Sequence, residues 1–190
     1  MSKPKKTKKV DQTQRTPPKR SWGQFFPSIH HLIAIGLIIG VAFLAYSNTF
    51  HVPFQFDDRP NIISNPNIQI KVFTWDRLER FIKNTYQESI RVFSYFTLAL
   101  NYYFGGVNVF GYHVVNFVVH VTSGIFLYWF LILTFNLSSL KEKYGPVSYK
   151  AALLSSLIFI SHPIQTQSVT YIVQRMASMG AMFYLLSMVL

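Results

Sequence analysis

Two adjacent carboxylates, Asp57 and Asp58, follow Phe56 directly after a long uncharged apolar run. Acidic side chains so close to a membrane-type segment are costly to desolvate, and that cost asks for a reason. Chemistry supplies one: a carboxylate can act as general base toward a hydroxyl, or the pair can hold a divalent metal ion. A turn-forming pair, with Asp58 bridged to Arg59, is the structural alternative. A second group is His113, Asn116 and His120, which share one helix face. The two histidines lie about 10 Å apart along a helix axis, too far to share one metal unaided. Hydrogen bonding between helices is their expected role, with His113 the one placed to face a site. The third group is His162, Gln165, Gln167 and Arg175. A guanidinium at a membrane surface suits a phosphate, which it binds through paired hydrogen bonds. Anchoring at the interface is the competing role.

The elements that would carry these groups follow from the distribution of charge. Half of the 190 residues are hydrophobic, and the 13% that are charged are about half the share of a soluble domain. Eight of the 18 basic residues fall before residue 21, opposed there by Asp11. Long runs at 22–55, 92–140, 151–174 and 176–190 contain no Lys, Arg, Asp or Glu. Such runs read as spanning helices, and a basic cluster before the first span reads as its cytoplasmic anchor rather than a nucleic-acid arm. A cleaved signal peptide is the rival reading of the first run. The chain has no cysteine, which excludes disulfides, thiol catalysis and thiolate metal sites.

This places a disordered basic tail at 1–28 and a membrane domain at 29–190. Spans are expected at 31–50, 110–135, 148–161 and 176–190. An external loop at 51–109 carries an amphipathic helix at 74–88, with Thr74 as its cap and Trp75, Leu78, Phe81, Ile82 and Tyr86 on one face. Asp76 with Arg80 and Glu79 with Lys83 are four-residue charge pairs on the other side. The segment before Gly105-Gly106 is too short to cross and reads as re-entrant or juxtamembrane. His162-Pro163 interrupts the third span, with a short surface helix expected over 163–174. Lys141, Lys143 and Lys150 against Glu142 make 136–150 a cytoplasmic loop, which turns the carboxylates and Arg175 to the same external face. Asn136-Leu137-Ser138 matches a glycosylation sequon by chance at that inner position. The last span ends within an apolar run, so the chain reads as a fragment of a longer bundle, or as one completed by a partner.

The order of short motifs carries a resemblance. Phe56-Asp57-Asp58 is followed by Asn65-Pro66-Asn67-Ile68, Asn101-Tyr102, Gly106 and Phe110-Gly111-Tyr112-His113-Val114-Val115-Asn116 with His120. His162-Pro163-Ile164-Gln165-Thr166 comes next, with Tyr171 and Arg175. Over about residues 30–190 this resembles the membrane portion of the transmembrane and tetratricopeptide-repeat-containing proteins, relatives of the protein O-mannosyltransferases among the type C glycosyltransferases. The motifs are distinctive in combination and weak singly.

The resemblance implies an all-α polytopic bundle that transfers a sugar from a polyprenyl-phosphate donor to a protein hydroxyl or a glycan. It implies catalysis in the first external loop, with Asp57 or Asp58 activating the acceptor or binding a metal. Arg175, with His162 and His113, would hold the lipid phosphate. Two departures stand out: Arg91-Val92 replaces an expected Arg-Pro, and Gln167 stands where many relatives have Glu. A neutral amide cannot serve as a base. The expected home is a bacterial inner membrane, or the endoplasmic reticulum in a eukaryote, with the N-terminus cytoplasmic. A non-catalytic membrane scaffold, or a transporter with its path along the intramembrane histidines, is the alternative.

Overall fold

The computed structural model describes residues 29–88 and 91–190. The basic tail at 1–28 lies outside the described residues. Among them the fold is helical throughout, without a β-strand. Three stretches are long and apolar enough to cross a membrane: Ile29–His51, Val109–Phe135 and Ile172–Val189. Lys141–Ser161 and Pro163–Thr170 together make a fourth if a 51° bend between them is one broken span. The chain is an integral membrane protein of the all-α polytopic class.

The main helices are α1 (Ile29–Tyr46), α2 (Trp75–Glu88), α3 (Val92–Gly105), α4 (Val109–Phe135), α5 (Lys141–Tyr144), α6 (Ser148–Ser161), α7 (Thr166–Thr170) and α8 (Arg175–Val189). Their inward faces are set by residues four apart. Ala34, Ile38, Ala42 and Tyr46 are the buried residues of α1, and Ala152, Ser156 and Ile160 repeat the same step on α6. Rows at this spacing form ridges that seat in the grooves of a neighbouring helix. Much of the rest of α1 is apolar and exposed, including Leu32, Ile33, Leu37, Phe43 and Leu44. A helix hydrophobic all round buries one face in protein and offers the other to lipid.

α4 is the axis of the bundle. Its buried stripe runs through Tyr112, His113, Asn116, His120, Gly124 and Tyr128. Gly124 is the close contact: a Cβ there would lie 2.7 Å from Ile160 Cδ1 and 3.5 Å from Ile38 Cγ2. Glycine therefore lets α1 and α6 approach α4 at the same level, as small residues do between membrane helices. His120 Nε2 is 3.0 Å from the Ile160 carbonyl oxygen, and its ring meets Tyr46 edge-on. The polar stripe thus ties helices together.

A second core sits under the loop that follows α1. Ile62, Ile68 and Ile70 pack with Phe81 of α2, Leu98 and Ala99 of α3, Tyr112 of α4 and Ile172. α3 stops at Gly105 because Gly106 turns the chain with φ +59°, a conformation that favours glycine. The Tyr112 hydroxyl donates to the Gly106 carbonyl at 2.9 Å and fixes that turn. On α2, Thr74 Oγ1 accepts from the Arg77 amide at 3.4 Å. Of its expected apolar face, Phe81 is buried and Leu78 half-buried, while Trp75, Ile82 and Tyr86 are exposed. Arg80 Nε donates to the Asp76 backbone carbonyl, not to its carboxylate.

The segment 163–174 is not one helix. A 3₁₀ turn at Pro163–Gln165 leads into α7, the chain opens at Tyr171 (φ −86°, ψ 108°), and a second 3₁₀ turn at Ile172–Gln174 runs into α8. The cause is long-range. The carbonyls of Val169, Tyr171 and Ile172 turn toward Asn116 Nδ2 at 3.3–3.4 Å, which competes with a local helical ladder.

Candidate active site

The doublet follows an unusual backbone. Phe56 has φ +39°, in the left-handed region that a bulky L-residue rarely adopts. Asp58 then points inward and is 1% exposed, while Asp57 points out and is exposed. Asp58 works as a clip. Its Oδ2 accepts from the Gln55 amide at 2.9 Å and its Oδ1 from the Val173 amide at 2.8 Å. Both bonds satisfy a carboxylate that burial would otherwise penalise. Burial pushes the Asp58 carboxyl above its usual range; the amides of Gln55, Val173 and Ile172 and the His113 imidazole pull the other way. Arg59, the expected salt-bridge partner, is exposed.

Asp57 sits on the opposite side of this clip. Its amide donates to the Tyr171 hydroxyl at 2.9 Å, and its carbonyl accepts from Asn61 Nδ2 at 2.8 Å. Asn61 is held in turn by the Tyr95 hydroxyl at 2.6 Å. Thr49 and Thr170, 3.2 Å apart, join the end of α1 to the same segment. Beside Asp57 opens a cavity of about 380 Å³, lined by Gln55, Phe56, Thr166, Gln167, Thr170 and Tyr171. Phe56 stands 80% exposed at its edge, its ring 6.2 Å from that of Tyr171. The wall therefore combines two aromatic rings, two amides and three hydroxyls, and the exposed Asp57 is tied to it through Tyr171.

Arg175 is elsewhere and differently employed. It is fully buried. Nε donates to Asn116 Oδ1 at 2.7 Å, Nη1 to Asn101 Oδ1 at 2.7 Å and Thr97 Oγ1 at 3.3 Å, and Nη2 to the Tyr112 carbonyl at 2.8 Å. It also lies 5.9 Å from the Tyr112 ring centroid. These contacts bind α8 to α3 and α4, and they occupy the guanidinium with neutral acceptors. His113 is fully buried as well, with Nε2 2.8 Å from the Val52 carbonyl, while its Nδ1 has no hydrogen-bond partner among the described residues. His162 is exposed; its Nδ1 accepts from the Ile164 amide at 3.2 Å and caps the turn after α6. The structure thus gathers the carboxylates, Arg175 and His113 at one end of the bundle, but only Asp57 and His162 reach solvent.

The doublet does not fit a metal ion held by both carboxylates. Both Asp58 oxygens are spent on backbone amides, and Asp57 faces away from them. Among the described residues no three His, Asp or Glu side chains converge as a ligand set. Reading the sequence missed Gln55 and Thr170. Phe56, Thr166 and Tyr171 stood within the quoted motifs and Gln167 as a departure from them, but nothing in their spacing showed that they line one cavity.

Comparison with known proteins bears on this arrangement. No protein-family model matches the chain, and no solved structure matches it. Curated proteins do. Over 163 residues the chain is 31% identical to human protein O-mannosyl-transferase TMTC4, covering 80% of the chain and 22% of that relative. Protein O-mannosyl-transferase F38B6.6 of Caenorhabditis elegans is 26% identical over 186 residues, 95% of the chain and 25% of the relative. Human protein O-mannosyl-transferase TMTC1 is 27% identical over 180 residues, 91% of the chain and 19% of the relative. The chain is a homologue of the TMTC protein O-mannosyl-transferases. It spans a quarter or less of the length of these TMTC relatives. At 95% of the chain, the likeness to F38B6.6 takes in the stretch from Asp57 and Asp58 through Asn116 to Arg175.

Proposed function

We propose that this chain forms the acceptor-activating part of a glycosyltransferase that moves mannose from a polyprenyl phosphate to a protein hydroxyl. The supporting observation is the exposed Asp57, next to Phe56 and bonded through its amide to Tyr171, both in the wall of a cavity of aromatic rings, amides and hydroxyls. Aromatic faces stack on the apolar side of a sugar ring, and amides and hydroxyls match its polar edge. In this reading Asp57 takes the proton of the acceptor hydroxyl as its oxygen bonds to the sugar's C1. The bond from C1 to the phosphate oxygen breaks, and the lipid phosphate leaves with the electron pair. His162 is the exposed group offered to that phosphate. Arg175 and His113 position: they hold α8, α4 and the loop after α1 in register. Gln167 in the cavity wall supports the rival, a non-catalytic scaffold, because its amide cannot replace an acidic side chain.

Phe56 separates the two readings. Phe56→Gly removes the ring and relieves a backbone conformation that costs on the order of 1–3 kcal/mol. Transfer from a polyprenyl-phosphate mannose donor, assayed in membranes carrying the protein, should show a KM raised by about tenfold, the worth of one stacked ring. The thermal midpoint should hold or rise. An unchanged KM, or no transfer by the wild type, leaves the scaffold reading standing.

The site is proposed to face away from the cytoplasm. The chain lacks cysteine, so single thiols report cleanly. Ser64→Cys, at the site end, should be labelled by an impermeant maleimide added outside spheroplasts or to the lumen of vesicles. Lys141→Cys, at the other end, should be labelled only from the cytoplasmic side. The reverse pattern would remove the external site.

A further inference from the structure

The far end of the bundle holds a second cavity, about 440 Å³, lined by His30, His31, Ile132, Asn136, Ser148 and Tyr149. It lies where α1 begins, α4 ends and α6 begins, so three helices of the bundle converge on it. Its wall is held rigidly. His31 Nδ1 is 2.6 Å from the Tyr128 hydroxyl, and the His31 ring lies 4.9 Å from the Trp129 ring. The Tyr149 hydroxyl donates to the His30 carbonyl at 2.9 Å. Asn136 Nδ2 donates to the Ile132 carbonyl at 2.8 Å and reaches Ser148 Oγ at 3.5 Å.

The surroundings are cationic. Lys141, Lys143 and Lys150 are exposed on α5 and the first turn of α6, with Glu142 as the acidic residue among them. The outer wall is greasy: Ile29, Leu32 and Ile33 of α1 are exposed beside the histidines. Because the spanning helices end here, the cavity lies at headgroup depth. A ligand suited to it carries a negative charge and hydrogen-bond acceptors at one end and apolar chains at the other. Basic pockets between spanning helices at a membrane face take acidic lipid headgroups by this combination.

We propose that this cavity binds the phosphate headgroup of an anionic phospholipid. The imidazoles of His30 and His31 and the amide of Asn136 face the phosphate. Lys150 supplies charge, and the acyl chains run along α1. The site is independent of the sugar-transfer reading, because it involves none of the residues around Asp57.

Native mass spectrometry of the purified chain in neutral detergent tests this. Phosphatidylglycerol should be retained at one molecule per chain, about tenfold more tightly than phosphatidylcholine, the margin expected of one to two surface cations. His30→Ala combined with Lys150→Gln, both exposed positions, should cut phosphatidylglycerol retention about fivefold, the worth of one surface cation, without moving the lipid-free thermal midpoint. Equal retention of the two lipids by the wild type overturns the proposal. So does retention unchanged in the double variant, and so does displacement of the lipid by inorganic phosphate, which marks a soluble anion as the occupant.

Discussion

Asp57→Asn should abolish sugar transfer and leave the fold intact, whereas Asp58→Asn should do the reverse. Asp57 is exposed, and its backbone makes hydrogen bonds to Tyr171 and Asn61 that asparagine would keep. Losing a general base costs about 10²–10⁴-fold in rate, with no penalty to packing. Asp58 is buried and accepts from two amides on separate segments. An asparagine there offers one oxygen and turns an NH₂ toward an N–H, at a cost of about 1–3 kcal/mol. Thermal unfolding in detergent, run beside the transfer assay, separates the two variants. A rate loss confined to Asp58→Asn would move the base to the inner carboxylate and sink the assignment.

The same measurement carries a pH signature. Burial holds the Asp58 carboxyl above its ordinary value in the folded chain. A group with a higher pKa folded than unfolded binds its proton more tightly when folded. Its contribution to stability is therefore full at low pH and is lost as pH rises from the ordinary aspartate value through the raised one. The wild-type midpoint should fall across that window, and Asp58→Asn should flatten the fall.

Arg175→Leu should cost more than either. The guanidinium is fully buried and satisfies Asn116, Asn101, Thr97 and the Tyr112 carbonyl at once. Leucine leaves those acceptors unpaired in a place water does not reach, and buried polar groups without partners are expensive. A loss of about 3–5 kcal/mol follows, the sum of several buried acceptors left unpaired at about 1–3 kcal/mol each, less what rearrangement recovers. It would read as a fall in the thermal midpoint on the order of 10 °C. Arg175→Lys should recover only part of it, since one ammonium cannot span acceptors arranged for a planar fork. Should Arg175→Leu keep its midpoint and lose only affinity for the lipid donor, the guanidinium serves the phosphate after all.

The class of fold was legible because charge is absent where lipid is present. The long uncharged runs declared helices buried in hydrocarbon without any need to know their partners. The polar stripe of α4 was also legible in kind: His113, Asn116 and His120 share a face, and polar groups in a membrane helix turn inward. What could not be read was which residue meets which. Asp57 and Asp58 look equivalent in one dimension, and what separates them is that the Val173 amide, 115 residues away, reaches Asp58 alone. Arg175 beside an apolar run looks like a surface anchor. Its burial depends on Asn101 and Asn116, 74 and 59 residues away, arriving from other helices. The break at Tyr171 is similar: its local sequence permits a helix, and a distant asparagine diverts it.

The clip at Asp58 also imposes an order on biogenesis. The Val173 amide it accepts is synthesised 115 residues after the carboxylate. At translation rates of about 5–20 residues per second, the acidic loop spends several seconds or more outside the membrane without its partner. During that interval the ribosome has delivered both carboxylates but not the backbone amide that holds Asp58. A nascent chain halted before Val173 would expose Asp57 and Asp58 alike, and the distinction between them comes into being only when the last described helix begins to insert.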